Sequence, residues 1–105
     1  MAQSSRLYFE SRAKEEYHLF PREIQKKTDP FLAELNRFGT LKYPNGRKLK
    51  GFDLYEVRVI GDGIYRLIYA YMEGNIVILT CFKKKTQKTP MREIEKAQNR
   101  MNNLI

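Results

Sequence analysis

The chain has 105 residues, 42% hydrophobic and 30% charged, enough for one domain around a single modest core and too few for two. Its one cysteine, Cys81, and one histidine, His18, exclude an internal disulfide and a conventional zinc site, and no cofactor is called for. The formal charge of +8 points to an anionic partner, and the excess is uneven: residues 1–40 hold seven Lys/Arg against six Asp/Glu, residues 41–80 six against four, and residues 81–105 seven against two.

The start, Met1-Ala2-Gln3-Ser4-Ser5, lacks the apolar stretch of a signal peptide, and no apolar run is long enough to cross a bilayer. A cytoplasmic protein without a membrane partner is expected. Arg6-Leu7-Tyr8-Phe9 is a candidate first strand. Residues 11–28 are helix-permissive, with Pro21 suited to a first turn. His18 lies here in a polar segment without a nucleophile motif, which argues against a Ser-His-Asp device. Thr28-Asp29-Pro30 has the form of a helix start, followed at helical spacing by Phe31, Leu32, Leu35 and Phe38, with Gly39 placed to end the helix. Residues 40–50 look like a basic loop (Lys42, Arg47, Lys48, Lys50) with a turn at Pro44-Asn45-Gly46.

The pattern then becomes β. Leu54–Ile60, Ile64–Met72 and Ile76–Phe82 are rich in Tyr, Val, Ile and Leu, and Gly61-Asp62-Gly63 and Glu73-Gly74-Asn75 separate them. Thr89-Pro90 opens a closing helix with the stripe Met91, Ile94, Ala97, Met101 and Leu104. The expected fold is a single α+β domain over residues 1–105. It combines a three-stranded antiparallel meander and an N-terminal strand with helices on one face and a C-terminal helix.

A three-residue loop at Gly61-Asp62-Gly63 sets Ile60 opposite Ile64, and the pairs Tyr55–Tyr69, Val57–Leu67 and Val59–Tyr65 then share one apolar face. The other face carries Arg58 directly opposite Arg66. Like charges across a pair are unfavourable by up to about 1 kcal/mol, so this arrangement calls for an anion between them or a carboxylate neighbour, for which Glu56 is placed. At the second turn, a three-residue loop pairs Arg66 with Phe82 and a two-residue Gly-Asn turn pairs it with Lys83. Either way the run Lys83-Lys84-Lys85, with Lys88 beyond it, begins beside Arg66, where a solvated basic loop is the alternative to a binding site. Arg58, Arg66 and Lys83–Lys85 are expected to converge away from the helix-covered face, with Lys48 and Lys50 entering nearby. Arginine forks and lysine charges of this kind suit a phosphodiester backbone. Tyr65, Tyr69 and Tyr71 fall on the core face as packing, Phe82 is open to either role, and Cys81 falls with Leu79 on the core side.

Leu54-Tyr55-Glu56-Val57-Arg58, Tyr65-Arg66-Leu67-Ile68-Tyr69, Phe82-Lys83-Lys84-Lys85-Thr86-Gln87-Lys88-Thr89-Pro90, and Glu93-Ile94 with Ala97 closely resemble the HigB-like, phage-derived branch of the RelE/ParE toxin superfamily. The likeness covers residues 41–100; the first 40 match only in helical character. It implies a RelE-like domain and the toxin of a type II toxin–antitoxin pair, a ribosome-dependent mRNA endoribonuclease that works without a metal. In the family's chemistry the ribose 2′-hydroxyl attacks the adjacent phosphate, leaving a cyclic phosphate and a 5′-hydroxyl. By the same resemblance, Arg66 stabilises the transition-state phosphate, Arg58 is the basic residue of the preceding strand, and Lys83, Lys84 and Lys85 hold the basic position after the strand. Lys48, Lys50, Phe82 and Lys88 fall to RNA and ribosome binding. RelE's C-terminal tyrosine has no counterpart after Tyr71, and His18 is not at the position of the histidine used by some HigB proteins. Glu56, or a lysine whose pKa is lowered by its cationic neighbours, is left as proton acceptor. The implied partners are mRNA, the ribosome and an adjacently encoded HigA-like antitoxin with a helix-turn-helix domain, through which the complex binds operator DNA. A ParE-like inhibitor of DNA gyrase and a non-catalytic RNA- or DNA-binding module are the competing readings.

Overall fold

The elements in chain order are β1 (Leu7–Phe9), α1 (Ser11–His18), α2 (Arg22–Phe38), β2 (Gly46–Lys48), β3 (Tyr55–Ile60), β4 (Ile64–Met72), β5 (Asn75–Lys84) and α3 (Met91–Asn103). The computed structural model describes residues 6–84 and 88–104. The strands form one five-stranded sheet ordered β1-β5-β4-β3-β2, in which β1 runs parallel to β5 and the other neighbours are antiparallel.

The first hairpin has the register expected from its apolar pairs, with Tyr55 opposite Tyr69, Val57 opposite Leu67, Val59 opposite Tyr65 and Arg58 opposite Arg66. The second hairpin reaches its register by a different route. Its turn has two residues, Glu73 and Gly74, both at positive φ (51° and 81°), and it sets Met72 opposite Asn75. Two left-handed residues match the twist of a tight hairpin. A β-bulge then shifts the register between Ile68 and Tyr69, so that Tyr69 faces Ile78 while Ile68 faces Thr80 and Arg66 faces Phe82.

The sheet is covered on both faces, by α1 and α2 on one, as expected, and by the C-terminal helix α3 on the other. Helices α1 and α2 place Ala13, Tyr17, Ile24, Leu32 and Leu35 on Val57, Val59, Tyr65, Leu67, Tyr69, Ile76 and Ile78. Across the sheet, Ile94 and Ala97 of α3 pack on Leu54, Ile68, Ala70, Val77 and Leu79. The bulge separates Leu79 from Cys81, which joins the first of these cores. Burial pushes the Cys81 thiol pKa well up, as an inert thiol requires.

Of two proline signals, Pro21 opens a helix as expected and Pro30 does not. Pro21 is the N-cap of α2, and the helix runs through Pro30 to Phe38 instead of starting at residue 30. The capping residues are used sideways: Thr28 Oγ1 donates to the Ile24 carbonyl (2.7 Å), and Asp29 accepts from the Tyr17 hydroxyl (2.7 Å). An interior proline costs roughly 3 kcal/mol. Burial of Ile24, Thr28, Leu32 and Leu35 on the sheet offsets it. Gly39 ends the helix at φ 79°, as expected, and its N–H donates to the Leu35 carbonyl.

The segment expected to be only a loop contains β2, which pairs Gly46 with Val57, Arg47 with Glu56 and Lys48 with Tyr55. Gly46 is required there, because a Cβ would overlap the Leu41 carbonyl. No helix among the described residues is long and apolar enough to cross a membrane.

Candidate functional site

The face of the sheet beyond the α3 core carries an ionic cluster centred on Glu56. β-Strand alternation places Glu56 and Arg58 on that face, and the antiparallel register brings Arg66 from β4 and Arg47 from β2 alongside. Glu56 is fully buried, and both of its oxygens are held: Oε1 accepts from Arg47 Nε at 2.7 Å, and Oε2 accepts from Thr89 Oγ1 at 2.9 Å. Arg58 Nε and Arg66 Nη1 each lie 3.9 Å from the carboxylate. Arg66 Nη1 also donates to Thr89 Oγ1 at 2.8 Å. Three guanidiniums thus surround one carboxylate, the neighbour that the opposed arginines required. Burying one such charge alone would cost several kcal/mol, so the cluster stands or falls together. Burial draws the Arg66 pKa below the usual arginine value; Glu56 opposes that shift, and Arg58 and Arg47 reinforce it.

The arginines differ in what they can reach. The Arg66 side chain is wholly buried and Arg58 is 14% exposed, whereas Arg47 is 35% exposed and opens onto a groove of about 570 Å³. Arg47, Lys50, Lys84 and Lys88 supply the cations of that groove, while Leu49, Phe52, Pro90, Met91 and Ile94 supply an apolar floor, with Thr89 at the junction with the arginine cluster. Cations above an apolar shelf are what a single-stranded nucleotide needs, with its phosphate on the charges and its base on the shelf.

Several of the expected site residues lie elsewhere. Lys83 is opposite Tyr65, on the α1/α2 side of the sheet. Its ammonium pairs with Asp62 Oδ2 at 3.1 Å and sits 5.4 Å from the centre of the Tyr65 ring. It therefore does not converge with Arg58 and Arg66, because successive strand residues point to opposite faces and Lys84 takes the groove side. Asp62 also accepts from the Tyr65 hydroxyl at 2.6 Å, and these two hydrogen bonds lower its carboxyl pKa. Lys48 faces away from the cluster and donates to the Phe52 carbonyl. Phe82 is half-buried against the α3 core opposite Arg66. Tyr65 and Tyr69 are core residues as expected, while Tyr71 is 45% exposed. Lys85 lies outside the described residues.

Arg47, which the sequence marks only as a basic loop residue, and Thr89, marked only as a helix start, both take part in the cluster. Arg47 sits in a strand of three residues, too short for a periodic signal. Thr89 has the form of a helix cap, yet Pro90 holds the N-cap position of α3 and the threonine side chain turns inward to Glu56 and Arg66.

A second buried polar network closes the far side of α3. Arg100 forks onto Glu16 (Nη1–Oε1 2.9 Å, Nη2–Oε2 2.8 Å) and donates to the Leu79 carbonyl at the bulge, while Glu16 accepts from the Cys81 N–H. It ties α3, α1 and β5 together beyond the end of β1, where strand groups would otherwise lack partners. No group of three His, Cys, Asp or Glu side chains among the described residues could hold a metal ion.

Residues 15–102 match the family described as phage-derived protein Gp49-like. No curated protein gives a significant match to the chain. Among solved structures, a mutant of the E. coli toxin RelE in the free state superposes with a TM-score of 0.65 at 18% identity, over 98% of this chain and 100% of that one. The matched residues and the superposed sheet agree: this chain belongs to the phage-derived Gp49-like family and has the fold of the toxin RelE.

Proposed function

We propose that the chain is a HigB-like toxin of a type II toxin–antitoxin pair, a ribosome-dependent endoribonuclease that cuts translated mRNA without a metal. The observation that carries this reading is the groove in which Arg47, Lys50, Lys84 and Lys88 border an apolar floor beside the buried arginine cluster. Attack of a ribose 2′-hydroxyl on the neighbouring phosphate builds negative charge on the phosphorane oxygens, and cations fixed in advance stabilise that charge without reorganising. The groove cations hold the phosphate, with Lys85 continuing the same run. Arg58 and Arg66 add their field from behind, and the floor keeps the nucleotide in line. Glu56 serves by holding the arginines, since both of its oxygens are engaged and its side chain is buried. The 2′-hydroxyl proton passes to ribosomal RNA, the P–O5′ bond breaks as the cyclic phosphate closes, and the departing 5′-oxygen takes a proton from a groove lysine. The expected neutraliser is an adjacently encoded, HigA-like antitoxin with a helix-turn-helix domain, which carries the pair to operator DNA in the cytoplasm.

The test is in vitro translation of a defined mRNA with the purified protein, followed by mapping of the ends. Fragments with new 5′-hydroxyl ends within translated codons are expected. Intact transcripts on actively elongating ribosomes overturn the proposal, and inhibition of DNA gyrase supercoiling under the same conditions would favour a ParE-like activity instead.

A further inference from the structure

Lys88 and Thr89 reach the groove as one wall from the segment that leads into α3, and β2 brings Arg47 to it as the other. Thr89 is the buried member of that wall (8% exposed). Its hydroxyl has one proton, and the geometry fixes where that proton goes. Arg66 Nη1 can only donate to Oγ1, so the threonine proton is directed to Glu56 Oε2, whose other oxygen receives Arg47 Nε. The chain Arg66 to Thr89 to Glu56, met from the far side by Arg47, therefore joins both walls through a single hydroxyl. We propose that Thr89 is a positioning residue of the RNA site: it sets the distance between the Lys88 wall and Arg47, and with it the fit of a single-stranded RNA phosphate between them.

This inference rests on the nuclease reading for its cleavage consequence but not for its binding consequence, so the two can be tested apart. A built-in control lies on the same sheet. Thr80 Oγ1 donates to Glu93 Oε1 at 2.8 Å, an equally buried hydroxyl–carboxylate bond that also docks α3 but borders no part of the groove.

The experiment compares wild type, Thr89→Val, Thr89→Ser and Thr80→Val. Thermal melts accompany cleavage in a translating extract and salt-dependent binding of a 2′-O-methyl oligoribonucleotide that cannot be cut. Thr89→Val is expected to lower the cleavage rate about 10- to 100-fold, the scale of a small misplacement of a catalytic contact. Its binding should lose about one phosphate contact, a fall of about 0.7 in the slope of log K against log salt. Thr89→Ser recovers most of both. Thr80→Val melts lower yet cleaves and binds as wild type does. If Thr89→Val does not fold, the Thr89→Ser and Thr89→Ala pair isolates the hydroxyl with less disturbance. Equal salt slopes and rates within either pair overturn the proposal, as does a Thr80→Val variant that loses the same slope as Thr89→Val. Wild-type protein that binds the oligonucleotide but never cuts mRNA overturns the nuclease reading alone.

Discussion

Replacing Glu56 by glutamine tests whether one carboxylate holds the site together. Glutamine keeps the shape but removes the charge, and it puts an amide donor where an oxygen now faces either Arg47 or Thr89. At an effective dielectric of about 20, a charge pair 3.9 Å apart is worth roughly 4 kcal/mol before desolvation, and Arg58 and Arg66 both lie at that distance. Much of this is cancelled by the burial of the charges. The measured cost of removing one partner from such a buried group is about 3–5 kcal/mol. Set against a total stability of about 5–15 kcal/mol, Glu56→Gln should still fold but be severely weakened. With a urea slope of about 1–3 kcal/mol per M, the unfolding midpoint drops by at least about 1 M. Phosphate or sulfate should restore part of that loss in the variant and little in the wild type, because the arginines then seek another anion. The assay is urea unfolding followed by circular dichroism, with and without phosphate at matched ionic strength. A loss under about 1 kcal/mol, or equal rescue of both proteins, would refute the reasoning that Glu56 neutralises the cluster.

Other expectations concern the lysines and α3. The double variant Lys84→Ala, Lys88→Ala should lower the salt slope of single-stranded RNA binding by about 1.4, two phosphate contacts, whereas Lys83→Ala should leave it within error because that lysine pairs with Asp62 on the other side of the sheet. Arg100→Met, which removes the fork to Glu16 and the Leu79 carbonyl, should cost about 3 kcal/mol in the same urea assay. Burial acts to raise the Glu16 carboxyl pKa, but hydrogen bonds from Arg100 and the Cys81 N–H outweigh it and hold the pKa below the ordinary value of 4.5. The folded pKa is thus the lower one, so this contribution is complete above about pH 4.5 and is lost as pH falls through the depressed value. Arg100→Met should therefore show a shallower acid limb than wild type in stability measured from pH 6 down to about pH 2.5; identical limbs would remove Glu16 as the cause.

The hairpin of β3 and β4 was fully legible because a glycine-bounded loop and an alternating strand admit one register with a dry face. That register exposed the Arg58–Arg66 pair and its need for Glu56. The second hairpin was less legible, since β5 is apolar on both faces. That feature is itself the mark of a strand covered from both sides, which is where α3 and the α1/α2 layer lie. The extent of α2 was masked by a local cap signal at Thr28-Asp29-Pro30 that burial on the sheet overrides. The division of the lysine run depends on a single bulge, and no residue type announces it. Arg47 and Thr89 were hidden for a related reason: each acts through a partner distant in sequence, Arg47 nine positions from Glu56 and Thr89 thirty-three.

The bulge in β5 works as a parity correction. The two-residue turn, carried on without interruption, would set Ile64 opposite Lys83 and deliver that lysine to the groove side, with Lys84 on the reverse. One extra residue near Leu79 restores the opposite phase, and the carbonyl it displaces is received by Arg100. A relative with a three-residue turn and no bulge would present the same lysine to its groove. Turn length and bulge can therefore drift during evolution so long as they change together, whereas a one-residue deletion at either place alone would reverse which lysine the groove face displays.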